Sequence, residues 1–114
     1  MATQQVAGTA YDFCTPRAIG NTTLDTPYAA LIRDGQGRAV VSLDAPDGSG
    51  GLDLWLGEGA DYVQVFSGDT LEPLRRRSGL AVEPTSCAPD AFTSGAGYGC
   101  LHPGAAHRLG WGVV

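Results

Sequence analysis

The sequence predicts an all-β fold built as an antiparallel β-sandwich, and three observations predict it. Glycine (17) and proline (7) punctuate the 114 residues too often for a helical bundle and suit short strands joined by turns. Short apolar runs alternate with polar residues at period two and end in Gly/Pro clusters. No window carries an apolar stripe at the 3.6-residue helical period.

The elements follow in order. Tyr28–Arg33 (YAALIR) and Arg38–Leu43 (RAVVSL) flank Asp34-Gly-Gln-Gly37, whose glycines supply positive φ, so strands near 28–33 and 38–44 are expected to form a hairpin. A second turn cluster, Asp44 to Gly51, leads into a strand at 52–57, where Leu52, Leu54 and Leu56 alternate with Asp53 and Trp55. Leucines on one face and a tryptophan on the other predict cover on both sides. Over 62–66, Val63 and Val65 share one face and Tyr62, Gln64 and Phe66 the other. Ser67–Ser78 is irregular and holds the charge run Arg75-Arg76-Arg77. A strand at 79–83 is stopped by Pro84, which has no N–H for a ladder. A Pro/Ser/Gly-rich passage then leads to a closing strand near 105–113, with at most a turn or two of helix expected.

Seven Lys+Arg against twelve Asp+Glu give a net charge of −5 and a pI near 4.6. That balance argues against nucleic acid or an anionic membrane surface as partner. No stretch is long and apolar enough to span a bilayer, and the N-terminus lacks a basic start with an apolar run, so a cytoplasmic address is expected. Cys14, Cys87 and Cys100 are an odd count without a CxxC pair, which predicts free thiols.

Few residues suggest chemistry unaided. Glu83 projects from a strand end opposite Leu80 and Val82, which by itself reads as a solvated carboxylate. Asp25 precedes Thr-Pro and reads as a turn former. His102 and His107 are five apart, a spacing that suits neither a helix face nor a strand face, and a metal pair is not expected. Gly95-Ala-Gly-Tyr-Gly99 lacks the lysine and following helix of a phosphate loop, and no serine sits in a nucleophile-elbow pattern.

Several segments in order carry a resemblance. Tyr11-Asp-Phe-x-x-Pro-Arg-Ala-Ile-Gly20, Leu24-Asp-Thr-Pro-Tyr28, Val63-Gln-Val-Phe-Ser-Gly-Asp69, Gly79-Leu-Ala-Val-Glu-Pro84, Pro89-Asp-Ala-Phe92 and Leu101-His-Pro-Gly104 resemble the C-terminal part of aldose 1-epimerases, the galactose mutarotase family. The resemblance runs from about Gly8 to the C-terminus. It divides the chain into a tail, 1–10, and a C-terminal portion of the family's large β-sandwich, 11–114.

The resemblance implies an isomerase that interconverts the α and β anomers of free aldoses such as glucose or galactose, with no cofactor and no metal. It implies Glu83 as the catalytic base, with Asp25 and Gln64 as sugar-binding residues on one concave groove. The family's N-terminal part, which carries a sugar-binding Arg and His and the acid histidine of a His-Pro-Tyr-Phe-like motif, has no counterpart here. Neither His102 nor His107 matches that acid by motif. Without it the chain alone is expected to be a poor enzyme. A non-catalytic carbohydrate-binding module and a structural half completing another chain are the alternatives. Trp55 and the apolar faces of 52–56 and 62–66 are expected to lack cover, favouring self-association or pairing with an N-terminal half.

Overall fold

The computed structural model describes residues 3–114. Six strands and one helical turn follow in chain order: β1 (Asp25–Tyr28), β2 (Ala39–Asp44), β3 (Gly51–Leu56), β4 (Tyr62–Phe66), β5 (Ala81–Thr85), α1 (Ala91–Ser94) and β6 (Trp111–Val113). They form two antiparallel three-stranded sheets, one ordered β1-β4-β5 and the other β2-β3-β6. The fold is all-β, as the alternation predicts.

One apolar cluster joins the sheets. Val63 and Val65 of β4 pack with Ala39 of β2, Leu54 and Leu56 of β3, and Leu24 and Ala60 from flanking loops. Leu56 is fully buried. Burial of such a side chain stabilises by about 1.5–3 kcal/mol, so these few residues carry much of the fold. The period-two pattern decides which face is inward. Val63, Val65 and Val82 point into the core, which leaves Tyr62, Gln64, Phe66 and Glu83 on the opposite face of the first sheet.

The expected 28–33/38–44 hairpin does not form. The turn itself is present, closed by a 2.8 Å hydrogen bond from the Asp34 N–H to the Arg38 carbonyl. Before it, however, the chain leaves the sheet at Tyr28, and β1 pairs with β4, while β2 pairs with β3. Ala30 adopts a left-handed φ of 51°, breaking the strand so that Leu31 packs against the core and Ile32 stands 80% exposed. Arg33 then fixes this loop to the second sheet, donating to the carbonyls of Leu56, Gly57 and Ala60 at 2.7–3.3 Å.

Two further boundaries differ from expectation. Pro84 lies inside β5 rather than ending it, because β5 is the outer strand of its sheet and a missing N–H is tolerated at an edge. Pro27 sits on the other outer strand, β1, for the same reason. The closing strand is three residues long, not nine. Trp55 also finds its cover within the chain: the Arg38 guanidinium lies 4.0 Å above its ring, and Gly112 is its register partner on β6.

Candidate functional site

The first sheet brings the three residues singled out by resemblance onto one face. Gln64 at the middle of β4 is the register partner of Glu83 on β5 and of Pro27 on β1. Asp25, two residues before Pro27, therefore stands on the same face as Gln64, one step along the strand. Gln64 Nε2 donates a 2.8 Å hydrogen bond to Asp25 Oδ1. The result is a row across three strands, carboxylate, amide, carboxylate, from positions 25, 64 and 83.

The amide orientation follows from chemistry. An ionised carboxylate only accepts, so the Gln64 NH₂ must face Asp25 and its oxygen must face away. That oxygen, Gln64 Oε1, is buried and accepts no hydrogen bond among the described residues. Buried acceptors in folded proteins almost always have a donor. One beside a carboxylate can accept from water or from a ligand that brings hydroxyl or N–H hydrogens.

Gln64 and Glu83 line a groove of about 500 Å³ at the open edge of β5, with Ser86, Cys87, Ala88 and Leu109 among its walls. Asp25 does not line it and reaches it through Gln64. Glu83 is exposed to solvent, free to meet a ligand. Neither Asp25 nor Glu83 lies within ion-pairing distance of an arginine among the described residues; the ion pairs are Arg33–Asp61 and Arg77–Asp69. The site thus offers acceptors and a proton-accepting carboxylate, with no fixed cation to hold an anion.

His102 and His107 are exposed and lie outside the walls of this groove. The three cysteines are unpaired. Among the described residues no group of three or more His, Cys, Asp or Glu side chains is placed to hold a metal ion, and no helix is long and apolar enough to cross a membrane.

Ser86, Cys87 and Leu109 were not expected at the site. Ser86 and Cys87 follow β5 directly, so their position beyond Glu83 was open to inference from chain order. Leu109 arrives from a distant segment, and nothing local in the sequence signals it.

No protein-family model and no solved structure matches the chain. Among curated proteins, 48 residues of it are 52% identical to "Uncharacterized protein YihR" of Escherichia coli (strain K12). The matched stretch is 42% of this chain and 14% of that protein's length.

Proposed function

We propose that the chain is the C-terminal part of an aldose 1-epimerase-like isomerase, related to the galactose mutarotases, and that the Asp25–Gln64–Glu83 face binds a free aldose. The observation that carries this reading is the buried, donorless Gln64 Oε1 between two carboxylates at the edge of a groove. A polyol supplies what that arrangement lacks: several hydroxyl donors and no charge.

In this reading Glu83 removes the proton from the anomeric hydroxyl while an acid protonates the ring oxygen. The C1–O5 bond breaks to the open aldehyde, rotation about C1–C2 exposes the other carbonyl face, and reclosure gives the other anomer. Gln64 holds a further hydroxyl and Asp25, bonded to its amide, fixes its orientation, where misplacement by about 1 Å costs on the order of 10²-fold. The acid comes from outside this chain, since neither histidine lines the groove. Three unpaired cysteines suit a reducing, cytoplasmic setting.

That same position of the histidines favours a second reading for the chain in isolation, a sugar-binding face without turnover. Titration of ¹⁵N-labelled protein with D-galactose, followed by exchange spectroscopy on the sugar's anomers, tests both. Shifts of the Gln64 side-chain amide that vanish in Asp25→Ala support the sugar site, and anomer exchange above the buffer rate separates enzyme from binder. Saturating galactose that leaves the Gln64 amide unmoved would sink the reading.

A further inference from the structure

The glycine-rich segment Gly95-Ala-Gly-Tyr-Gly99 lies between Cys87 and Cys100, and its two ends are held differently. At its start the chain is fixed against the loop after β5. The Ala88 N–H donates a 3.3 Å hydrogen bond to the Ala96 carbonyl, and a Cβ on Gly97 would lie 3.5 Å from Cys87 Cα, so residue 97 sits directly against residue 87. From Tyr98 to Leu101 the chain is exposed, and among the described residues the backbone there makes no hydrogen bond. Surface backbone without such bonds rearranges at little cost.

These residues carry the spacing of a tight turn. In Gly97-Tyr98-Gly99-Cys100 a glycine stands at the third position, where a type II turn needs positive φ. Such a turn brings its first and fourth Cα atoms within about 7 Å of each other. Gly99 has no atom within 4 Å of where its Cβ would lie, so no packed neighbour holds it in place. Folded that way, the segment carries Cys100 back toward Gly97 and Cys87, into the range of about 4.4–6.8 Å between Cα atoms that a disulfide spans. Cys87 is half-buried in the wall of the groove that holds Gln64 and Glu83, whereas Cys100 is exposed and meets a dissolved oxidant first.

We infer that Cys87 and Cys100 form a reversible redox pair, and that their disulfide draws residues 98–100 over the mouth of the groove. The oxidant is hydrogen peroxide. The Cys100 thiol attacks one peroxide oxygen and becomes a sulfenic acid as water leaves; the Cys87 thiol then attacks that sulfur, forming the S–S bond and releasing a second water. Two thiols thus lose two electrons and two protons to one peroxide, and a dithiol reductant reverses the step. The device does not depend on which ligand the groove takes.

Treating the dilute full chain with hydrogen peroxide tests this. Free thiols should fall from three to one without covalent dimers. Trypsin releases both cysteines in one peptide, Ser78–Arg108, which should be lighter by two hydrogens until dithiothreitol restores it. The Gln64 side-chain amide should shift in a ¹⁵N spectrum of the oxidised protein and return on reduction. Cys14→Ser should behave as the parent, and Cys100→Ser should lose the shift. Gly99→Ala, whose new methyl meets no neighbour in the open segment, should form the bridge about fivefold more slowly, because its Cβ opposes the turn. Covalent dimers or sulfinic acids in place of the internal bridge overturn the pair, and a bridge that leaves the Gln64 amide unmoved overturns closure of the groove.

Discussion

Gln64 Nε2 and Asp25 Oδ1 lie 2.8 Å apart across the β1–β4 ladder, and this contact turns the amide oxygen of Gln64 into a buried acceptor with nothing to accept. Such an atom lowers stability in the free protein and contributes only when a donor arrives. Site and fold are therefore set against each other at one residue.

Gln64→Leu separates the two. The substitution removes the donorless oxygen and its amide while keeping similar volume, so unfolding free energy should stay within about 1 kcal/mol of the parent or rise. Sugar binding should fall by about tenfold or more, because both the acceptor and the anchor of Asp25 are gone. Thermal melting and galactose titration of the same sample check the pair. A strongly destabilised Gln64→Leu would mean that the amide is satisfied after all.

Glu83→Gln should leave melting unchanged, since the side chain is exposed and makes no ion pair among the described residues. Any anomer exchange the protein supports should drop by about 10²–10⁴-fold, the usual contribution of a positioned base, because an amide cannot take the proton. Exchange spectroscopy on galactose reads this directly.

Acid should loosen the 67–78 segment before it disturbs the sheets. Ser67, 4% exposed, accepts a 2.8 Å bond from the Leu24 N–H and donates to Asp69, while Arg77 Nη1 reaches Asp69 Oδ2 at 3.0 Å and Arg77 Nη2 the Gly20 carbonyl at 2.7 Å. The Ser67 hydroxyl, and then the Arg77 guanidinium, hold the Asp69 carboxyl below its ordinary range. A depressed folded pKa gives stability that is present above the unfolded value, about 3.9, and is lost as pH falls through the folded one. Melting temperature should hold from neutrality to about pH 5 and fall below about pH 4. Asp12 and Asp34 are also held low, chiefly by the backbone N–H groups of Cys14 and Arg38, so the parent-minus-Arg77→Ala difference isolates this clamp. That difference should shrink in acid. Ser67→Ala should cost about 1–3 kcal/mol at pH 7 by stranding the Leu24 N–H.

The contrast between elements shows what was legible. Alternation over Leu52–Leu56 and Tyr62–Phe66 specified both strands and their faces, because each packs one side on a dry core. The same rule failed at YAALIR, where one left-handed residue, Ala30, redirects the chain; nothing in an alanine announces that. Partner choice was equally hidden. The β1–β4 ladder joins residues about 40 apart and only the folded register shows that Asp25 and Gln64 meet. The shared face of Gln64 and Tyr62 was written in their spacing, whereas the resemblance, not the pattern, pointed to Glu83.

Gly112 tests the second sheet. It sits opposite Trp55, and a Cβ at that position would lie 2.5 Å from Trp55 Nε1 and 2.7 Å from Cε2 and Cζ2. The ring cannot retreat without leaving its place 4.0 Å beneath Arg38. Gly112→Ala should therefore destabilise by about 1–3 kcal/mol, the range for overpacking, and shift tryptophan fluorescence as Trp55 is displaced. An unchanged melting curve would show that the strand slides to make room.

The open edge of the second sheet leads to the last prediction. Register places Trp111 beside Leu56 and Val113 beside Leu54, so both side chains lie on the core-facing side of the sheet, yet they remain 53% and 55% exposed where Leu56 and Leu54 are 0% and 7%. Leu52, on the same face, is 44% exposed. The inner face thus runs past the cover that the first sheet provides. β6 is also an outer strand without a proline, unlike β1 and β5, whose prolines blunt both edges of the first sheet. An apolar face continuous with an unprotected edge drives association. Purified protein should elute from size exclusion with a light-scattering mass above that of one chain, and the excess should grow with concentration. Val113→Asp should return it to monomer with little loss of stability, because the side chain is more than half exposed in the monomer. A parent that stays monomeric up to millimolar concentration would show that this edge does not pair.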